Sequence, residues 1–152
     1  MFIRKRVVGT GLAPVRYDNN IKLSTLGQII DKQWNNIPNL YDDIELDEYV
    51  IMPNHIHGIL IINKRTINER TGASPVPTVS ISNIIGSFKS KTSIEYLRWI
   101  KKNALNISGQ IWQRSFYDHV IRNDKSLNNI REYIINNPLQ WDDDVENINK
   151  TP

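Results

Sequence analysis

The chain contains no cysteine, so it can form neither a disulfide framework nor a thiolate metal site. It also lacks a long apolar run. Its opening, Met1-Phe-Ile-Arg-Lys-Arg6, offers neither the apolar core of a signal peptide nor a membrane span. These absences favour a protein of a reducing compartment with no membrane partner.

The 152 residues are most simply one domain, with enough apolar residues (39%) to bury a core. We expect this domain to cover residues 1–141. The segment 142–152 begins Asp142-Asp-Asp144 and is expected to be a short, solvated acidic tail. Because that tail is acidic, the body is more basic than the overall net charge of +3. A basic body is compatible with a phosphate-rich partner, although most small basic domains bind no nucleic acid.

Histidine is scarce, and two of the three histidines stand together in Tyr49-Val-Ile-Met-Pro-Asn-His-Ile-His-Gly-Ile-Leu-Ile-Ile62. Alternate residues of a strand point to the same face. His55 and His57 would therefore leave one side of a sheet together, where two imidazoles can bind a divalent metal ion. The alternative is that both are ordinary hydrogen-bonded strand residues.

The apolar periodicity predicts strands and helices in alternation. We expect strands over residues 2–8, 45–52, 55–63 and 111–122, and loops over 9–20 and 64–79. Three helices are expected. Ser24 would cap the first, Ser80 or Ser82 the second and Ser126 the third. The second helix is expected to have a break near 90–93. This order indicates an α+β fold, a ferredoxin-like antiparallel sheet with helices packed on one face.

The last predicted helix carries Tyr133 and Asn137, which share a face because they are four residues apart. If that face lies over the histidine strand, two imidazoles, an amide oxygen and a phenol meet. The set suits Mg²⁺ or Mn²⁺, and the phenol of Tyr133 could attack a phosphodiester. The alternatives are a core role for Tyr133 and a helix-capping role for Asn137.

Two further motifs follow the histidine segment along the chain. They are Trp112-Gln-Arg-Ser-Phe-Tyr-Asp-His-Val-Ile-Arg122 and Glu132-Tyr-Ile-Ile-Asn-Asn-Pro138. In this order the three motifs resemble the single-tyrosine HUH transposases, most closely their REP-associated branch. The resemblance covers about residues 23–141, and residues 1–20 depart from the family's usual opening. It implies an HUH endonuclease fold in a bacterial or archaeal cytoplasm.

The resemblance also implies a reaction. It predicts metal-dependent cleavage and strand transfer of single-stranded DNA near a hairpin, with Tyr133 forming a 5′-phosphotyrosine. His55, His57 and Asn137 would be ligands of Mg²⁺ or Mn²⁺. The alternatives are a catalytically decayed protein that only binds hairpin DNA and a hydrolase that activates water. A homodimer is left open.

Further residues are candidates for DNA binding. Arginines could hold phosphates, aromatic rings could stack on unpaired bases, and lysines could follow the backbone. Core packing or surface solvation explains each of them as well. These candidates are Arg114, Arg122, His119, Trp112, Lys89 and Lys91.

Overall fold

The protein is described from a computed structural model, which covers residues 1–6, 15–17, 20–63, 80–113 and 117–141. The predicted loop over 64–79, Arg114 and the acidic tail 142–152 lie outside these ranges. The strands are β1 (Phe2–Arg6), β2 (Val15–Tyr17), β3 (Asn20–Lys22), β4 (Ile44–Ile51), β5 (His55–Ile62) and β6 (Tyr117–His119). The helices are α1 (Thr25–Asn35), α2 (Ile37–Leu40), α3 (Ile81–Lys102), α4 (Asp124–Asn136) and a 3₁₀ turn, Asn137–Gln140.

Four strands form one antiparallel sheet in the order β4-β5-β1-β6. Counted along the chain, these are the second, third, first and fourth strands of the sheet, with a helix after the first and another after the third. This is the ferredoxin-like arrangement, and the predicted fold class is confirmed. The opening residues Phe2–Arg6 fill a central position between β5 and β6.

The sheet has helices on both faces, so the expectation that all helices share one face is wrong. Ile3, Ile56 and Leu60 point toward α1 and α3 and form the main core with Trp34 and Phe88. The residues that alternate with them point the other way, since neighbouring positions in a strand face opposite sides. On that second side a smaller cluster of Phe2, Ile59 and Ile134 holds α4.

The helix caps follow local hydrogen bonding. Ser24 caps α1 and Ser80 caps α3, each accepting a bond from a backbone N–H three residues on. The helix α3 runs unbroken through 90–93, because Thr92 and Tyr96 extend its buried stripe past that polar segment. The cap of α4 is Asn123, whose side chain accepts from the N–H of Ser126, so the prediction of Ser126 as the cap is wrong.

Other boundaries also differ from the prediction. Within the described residues of 111–122, only Tyr117–His119 is a strand, because it alone has a partner strand, in β1. Val15–Tyr17 pairs with Asn20–Lys22 instead of belonging to a loop. Pro38, expected to end the first helix, lies inside the short α2, since a proline is tolerated in a first helical turn. Within the described ranges, no helix is long and apolar enough to cross a membrane.

Candidate active site at a histidine pair and a tyrosine

The histidine pair lies on β5, on the face that α4 covers. The rings of His55 and His57 are fully buried, and their centroids are 4.5 Å apart. The Nδ1 atom of His55 is 2.6 Å from the side-chain oxygen of Asn54. Phe2 from the neighbouring β1 stacks on His57 with a centroid distance of 5.5 Å. Both imidazoles are therefore fixed in orientation before any ligand binds.

Tyr133 projects from α4 over this pair. Its hydroxyl oxygen lies 3.4 Å from Nε2 of His57, and its ring meets the His57 ring edge-on. Tyr133 is 42% exposed, so it is open to solvent on one side. The partly exposed phenol of Tyr133 therefore lies over a buried histidine pair. In this arrangement the phenol can act as a nucleophile on a charged group that binds beside the histidines.

Asn137 is the first residue of the 3₁₀ turn, one helical turn beyond Tyr133. It is only 4% exposed, and its side-chain oxygen has no hydrogen-bond partner among the described residues. Tyr133 before it contacts His57, and Trp141 after it lies against His55, with ring centroids 6.1 Å apart. The segment between these two contacts therefore passes over the histidine pair and carries the amide of Asn137 with it.

These donors fit a divalent ion. A buried amide oxygen without a partner is costly unless it binds something, and imidazole nitrogen with amide oxygen is a ligand set that borderline divalent ions accept. The described ranges contain no group of three or more His, Cys, Asp or Glu side chains that could hold a metal. The predicted ligand set has only two such residues, and Asn137 would be its third ligand.

The remaining candidates fall into two groups. His119 on β6 pairs with Phe2, so it shares the face of the histidine pair, as does the exposed Tyr117, which meets Phe2 edge-on at 6.5 Å. Arg122 is exposed just beyond β6. His119 lies on the sheet's edge strand beside the site and Arg122 follows that strand, and the role of these two residues in DNA binding stays a prediction.

Three other candidates lie on the far side of the sheet. Trp112 packs on Phe88 and donates its indole N–H to the carbonyl oxygen of Lys89. Lys89 in turn donates from Nζ to the backbone oxygen of Gln113, and Lys91 is exposed on the same helix α3. The sheet separates these side chains from Tyr133.

Two features of the site were missed by sequence reasoning. Phe2 packs against His57 only because β1 enters the sheet beside β5, and the sequence contains no signal of that pairing. Arg131 binds Asp47 through its Nε and Nη2 atoms, with the shortest distance 2.7 Å. The sequence shows that Arg131 precedes Tyr133 by two residues, but it does not show that Asp47 on β4 is the partner of Arg131.

The model of the family described as "Transposase IS200 like" matches residues 27–137. The chain belongs to this family, and the resemblance to single-tyrosine HUH transposases of the REP-associated kind is confirmed. The matched range begins in α1 and ends at Asn137, so it contains the histidine pair, Tyr133 and the proposed third ligand.

The chain is also similar to individual proteins. An uncharacterised Haemophilus influenzae protein is 36% identical over 132 residues, which cover 84% of this chain and 72% of that protein. A second protein of that organism, named a candidate REP-associated tyrosine transposase, is 29% identical over 90 residues. That match covers 59% of this chain and 47% of the relative, so this chain spans about half of its length.

A solved structure shares the fold. The chain is similar to a REP-associated tyrosine transposase bound to a REP hairpin, with a TM-score of 0.58 and 19% identity. The match covers 91% of this chain and 66% of that one. At this identity the likeness establishes the fold of the HUH type, and not the substrate.

Proposed function

We propose that this protein cleaves and rejoins single-stranded DNA next to a hairpin through a covalent 5′-phosphotyrosine at Tyr133. The observation that carries the proposal is the position of the Tyr133 hydroxyl, 3.4 Å from His57 above a buried histidine pair, in an IS200-like transposase. The solved relative is bound to a REP hairpin, so a hairpin is the first DNA to test.

The chemistry begins with the phenol. Tyrosine keeps its proton at neutral pH, and the exposed side of Tyr133 lets that proton pass to water as the oxygen attacks phosphorus. A bond forms between the phenolic oxygen and phosphorus. The bond from phosphorus to the 3′ oxygen breaks, and the upstream strand leaves with a 3′-hydroxyl after taking a proton from water.

The phosphotyrosine conserves the energy of the broken ester, so the reverse attack by a 3′-hydroxyl restores a phosphodiester. A hydroxyl from a different strand would complete strand transfer. The buried residues His55, His57 and Asn137 would hold Mg²⁺ or Mn²⁺, which would neutralise charge on a non-bridging phosphate oxygen when bound. The fixed rings supply preorganised ligands, because Phe2 and Asn54 restrain them.

The test is transfer of a label from DNA to protein. A hairpin oligonucleotide with a single-stranded flank and a fluorophore at its 3′ end is incubated with the protein and Mn²⁺. Because the 5′ phosphate of the downstream fragment joins the tyrosine, the fluorophore should migrate with the protein on a denaturing gel. Tyr133→Phe should abolish this band.

Tyr96→Phe is the matched control, because Tyr96 is buried in α3 on the far side of the sheet and stacks on Trp99. It should leave the covalent band unchanged. Hairpin binding without any covalent band in the wild type would support a decayed DNA-binding protein instead. Cleavage that survives Tyr133→Phe would support a hydrolase that activates water. The homodimer stays a prediction.

A further inference from the structure

Arg131 and Asp47 join the tyrosine helix to the edge of the sheet. Nε of Arg131 donates to both carboxylate oxygens of Asp47 at 3.0 and 3.1 Å, and Nη2 donates to Oδ2 at 2.7 Å. The remaining nitrogen, Nη1, donates to the side-chain oxygen of Asn128 on the same helix. A guanidinium held at several points is fixed in direction as well as in distance.

A β-bulge brings Asp47 to this partner. Leu46 pairs with Leu60 and Tyr49 pairs with Gly58, so β4 contains one more residue than β5 between these pairs. An extra residue bends a strand and redirects its side chains. Here it lets Leu46 and Tyr49 both face the main core, while Asp47 between them faces α4.

The side chain of Asp47 is nearly buried, with 10% of its surface exposed. The side chain of Arg131 is 37% exposed. Hydrogen bonds from Arg131 lower the pKa of Asp47 below its usual value of 3.8 and exceed the opposing effect of burial. The lowered pKa of Asp47 favours the charged form of this pair.

The arrangement of side chains around α4 lets the ion pair of Arg131 and Asp47 control the rotation of this helix. Ile134 is the helix's buried residue, and Leu127 and Ile130 are partly buried beside it. With about 100° per residue, Arg131 lies about 60° to one side of Ile134 and Tyr133 about 100° to the other. The helix can thus rotate about its own axis while Ile134 stays in contact with the sheet. The ion pair at Arg131, on one flank of the helix, then fixes the distance between the sheet and Tyr133 on the opposite flank.

The displacement is large enough to matter. Side-chain tips lie about 5–6 Å from a helix axis, so a roll of about 10° moves such a tip by about 1 Å. The hydroxyl of Tyr133 is already at the outer limit of a hydrogen bond to His57. A misplacement of about 1 Å at a reacting group can lower a rate by about 100-fold.

We propose that Arg131 and Asp47 are positioning residues, whose ion pair fixes the roll of α4 and holds the Tyr133 hydroxyl over the histidine pair of its own chain. The inference rests on the proposed function for its catalytic consequence. Its structural content, the position of Tyr133, can be measured separately.

The catalytic test uses Asp47→Asn, which keeps the shape of the side chain, and Arg131→Lys, which keeps the charge but not the fork. Both should form the labelled covalent adduct at least about 10-fold more slowly in a single turnover, as misplacement of a reacting group predicts, while binding of the hairpin is unchanged. The exchanged pair Asp47→Arg with Arg131→Asp should recover part of the rate. Glu132→Gln, on an exposed site of the same helix, is the control.

The structural test places one 3-fluorotyrosine at position 133 and records its ¹⁹F resonance without DNA. We expect the resonance to shift in His57→Ala, which removes the contacting ring. In the separate variant Asp47→Asn we expect it to move toward the resonance of free fluorotyrosine. An unchanged resonance in Asp47→Asn, in a variant that melts as a folded protein, overturns the positioning role, and so does an unchanged adduct rate. A shifted resonance with no adduct in the wild type would contradict the proposed function and leave the positioning role standing.

Discussion

Replacing Gly58 by alanine should destabilise the protein far more than the addition of one methyl group suggests. Gly58 follows His57 on β5, paired with Ile3 on one side and Tyr49 on the other. A Cβ atom at this position would lie 2.3 Å from Cζ2 and 2.8 Å from Cη2 of Trp34. The indole of Trp34 is fully buried in the core.

The size of the effect follows from these distances. Carbon atoms in contact are normally about 3.5–4.0 Å apart, so the ring or the strand must retreat by about 1.2 Å. Phe88 meets the indole edge-on at 5.4 Å and opposes that movement. Overpacking of a core costs about 1–3 kcal/mol, and this rigid contact should lie near about 3 kcal/mol. For a domain of this size the midpoint of thermal unfolding should fall by about 6–12 °C.

The assay is urea unfolding of the wild type, Gly58→Ala, Trp34→Phe and the double variant. The clashing atoms belong to the six-membered part of the indole, which phenylalanine largely removes. The double variant should therefore be at least about 1 kcal/mol more stable than the sum of the single effects. The control is Gly86→Ala in α3, where no atom lies within 4 Å of an added Cβ; it should stabilise by about 0.5–1 kcal/mol. A Gly58→Ala variant within about 0.5 kcal/mol of wild type, the range of ordinary surface substitutions, would refute the reasoning.

Three further outcomes are expected. Asn123→Ala should cost about 1 kcal/mol in urea unfolding by removing the cap of α4, and an equal or larger loss in Ser126→Ala would contradict the assigned cap. Mn²⁺ at about 100 times its Kd should raise the free energy of unfolding by about 2.7 kcal/mol in a thermal-shift titration, and the effect should be absent in His55→Ala; a gain retained in that variant would place the ion elsewhere. Because Arg131 lowers the pKa of Asp47 in the folded state, the pair stabilises fully above the unfolded value of about 3.8 and loses this contribution as pH falls through the lower folded value. Asp47→Asn should therefore flatten the acid side of the stability profile measured by urea unfolding, and an unchanged profile would count against the pair.

The sequence predicted the elements that carry strong local signals. The apolar alternation of β5, the stripe of α1 and the cap at Ser24 depend on neighbouring residues, so they were recognisable without a partner. The spacing of Tyr133 and Asn137 predicted that they share a face of the last helical segment. The structure places Asn137 just past the end of α4 but still one turn from Tyr133.

The remaining features depend on contacts between distant segments. The length of β6 is set by its pairing with β1, and the cap of α4 by competition between Asn123 and Ser126 for the same end of the helix. The bulge that presents Asp47 requires knowledge of both β4 and β5. The placement of α1 and α3 on one face and of α4 on the other is likewise a property of the assembled sheet.

The place of β1 at the centre of the sheet has a consequence for the order of folding. Its first residues pair with Ile59, near the middle of the chain, and with His119, in the last quarter. During synthesis Phe2 is made well before His119, its second neighbour in the sheet, so that pairing must wait for the residues between them. Contacts so distant in sequence slow folding, since the intervening loop must close before any pairing is gained. The hairpin of β4 and β5 can form early, before β1 pairs with the other edge of β5. Because β6 pairs only later, with β1, mutations in β6 should change the rate of unfolding more than the rate of folding.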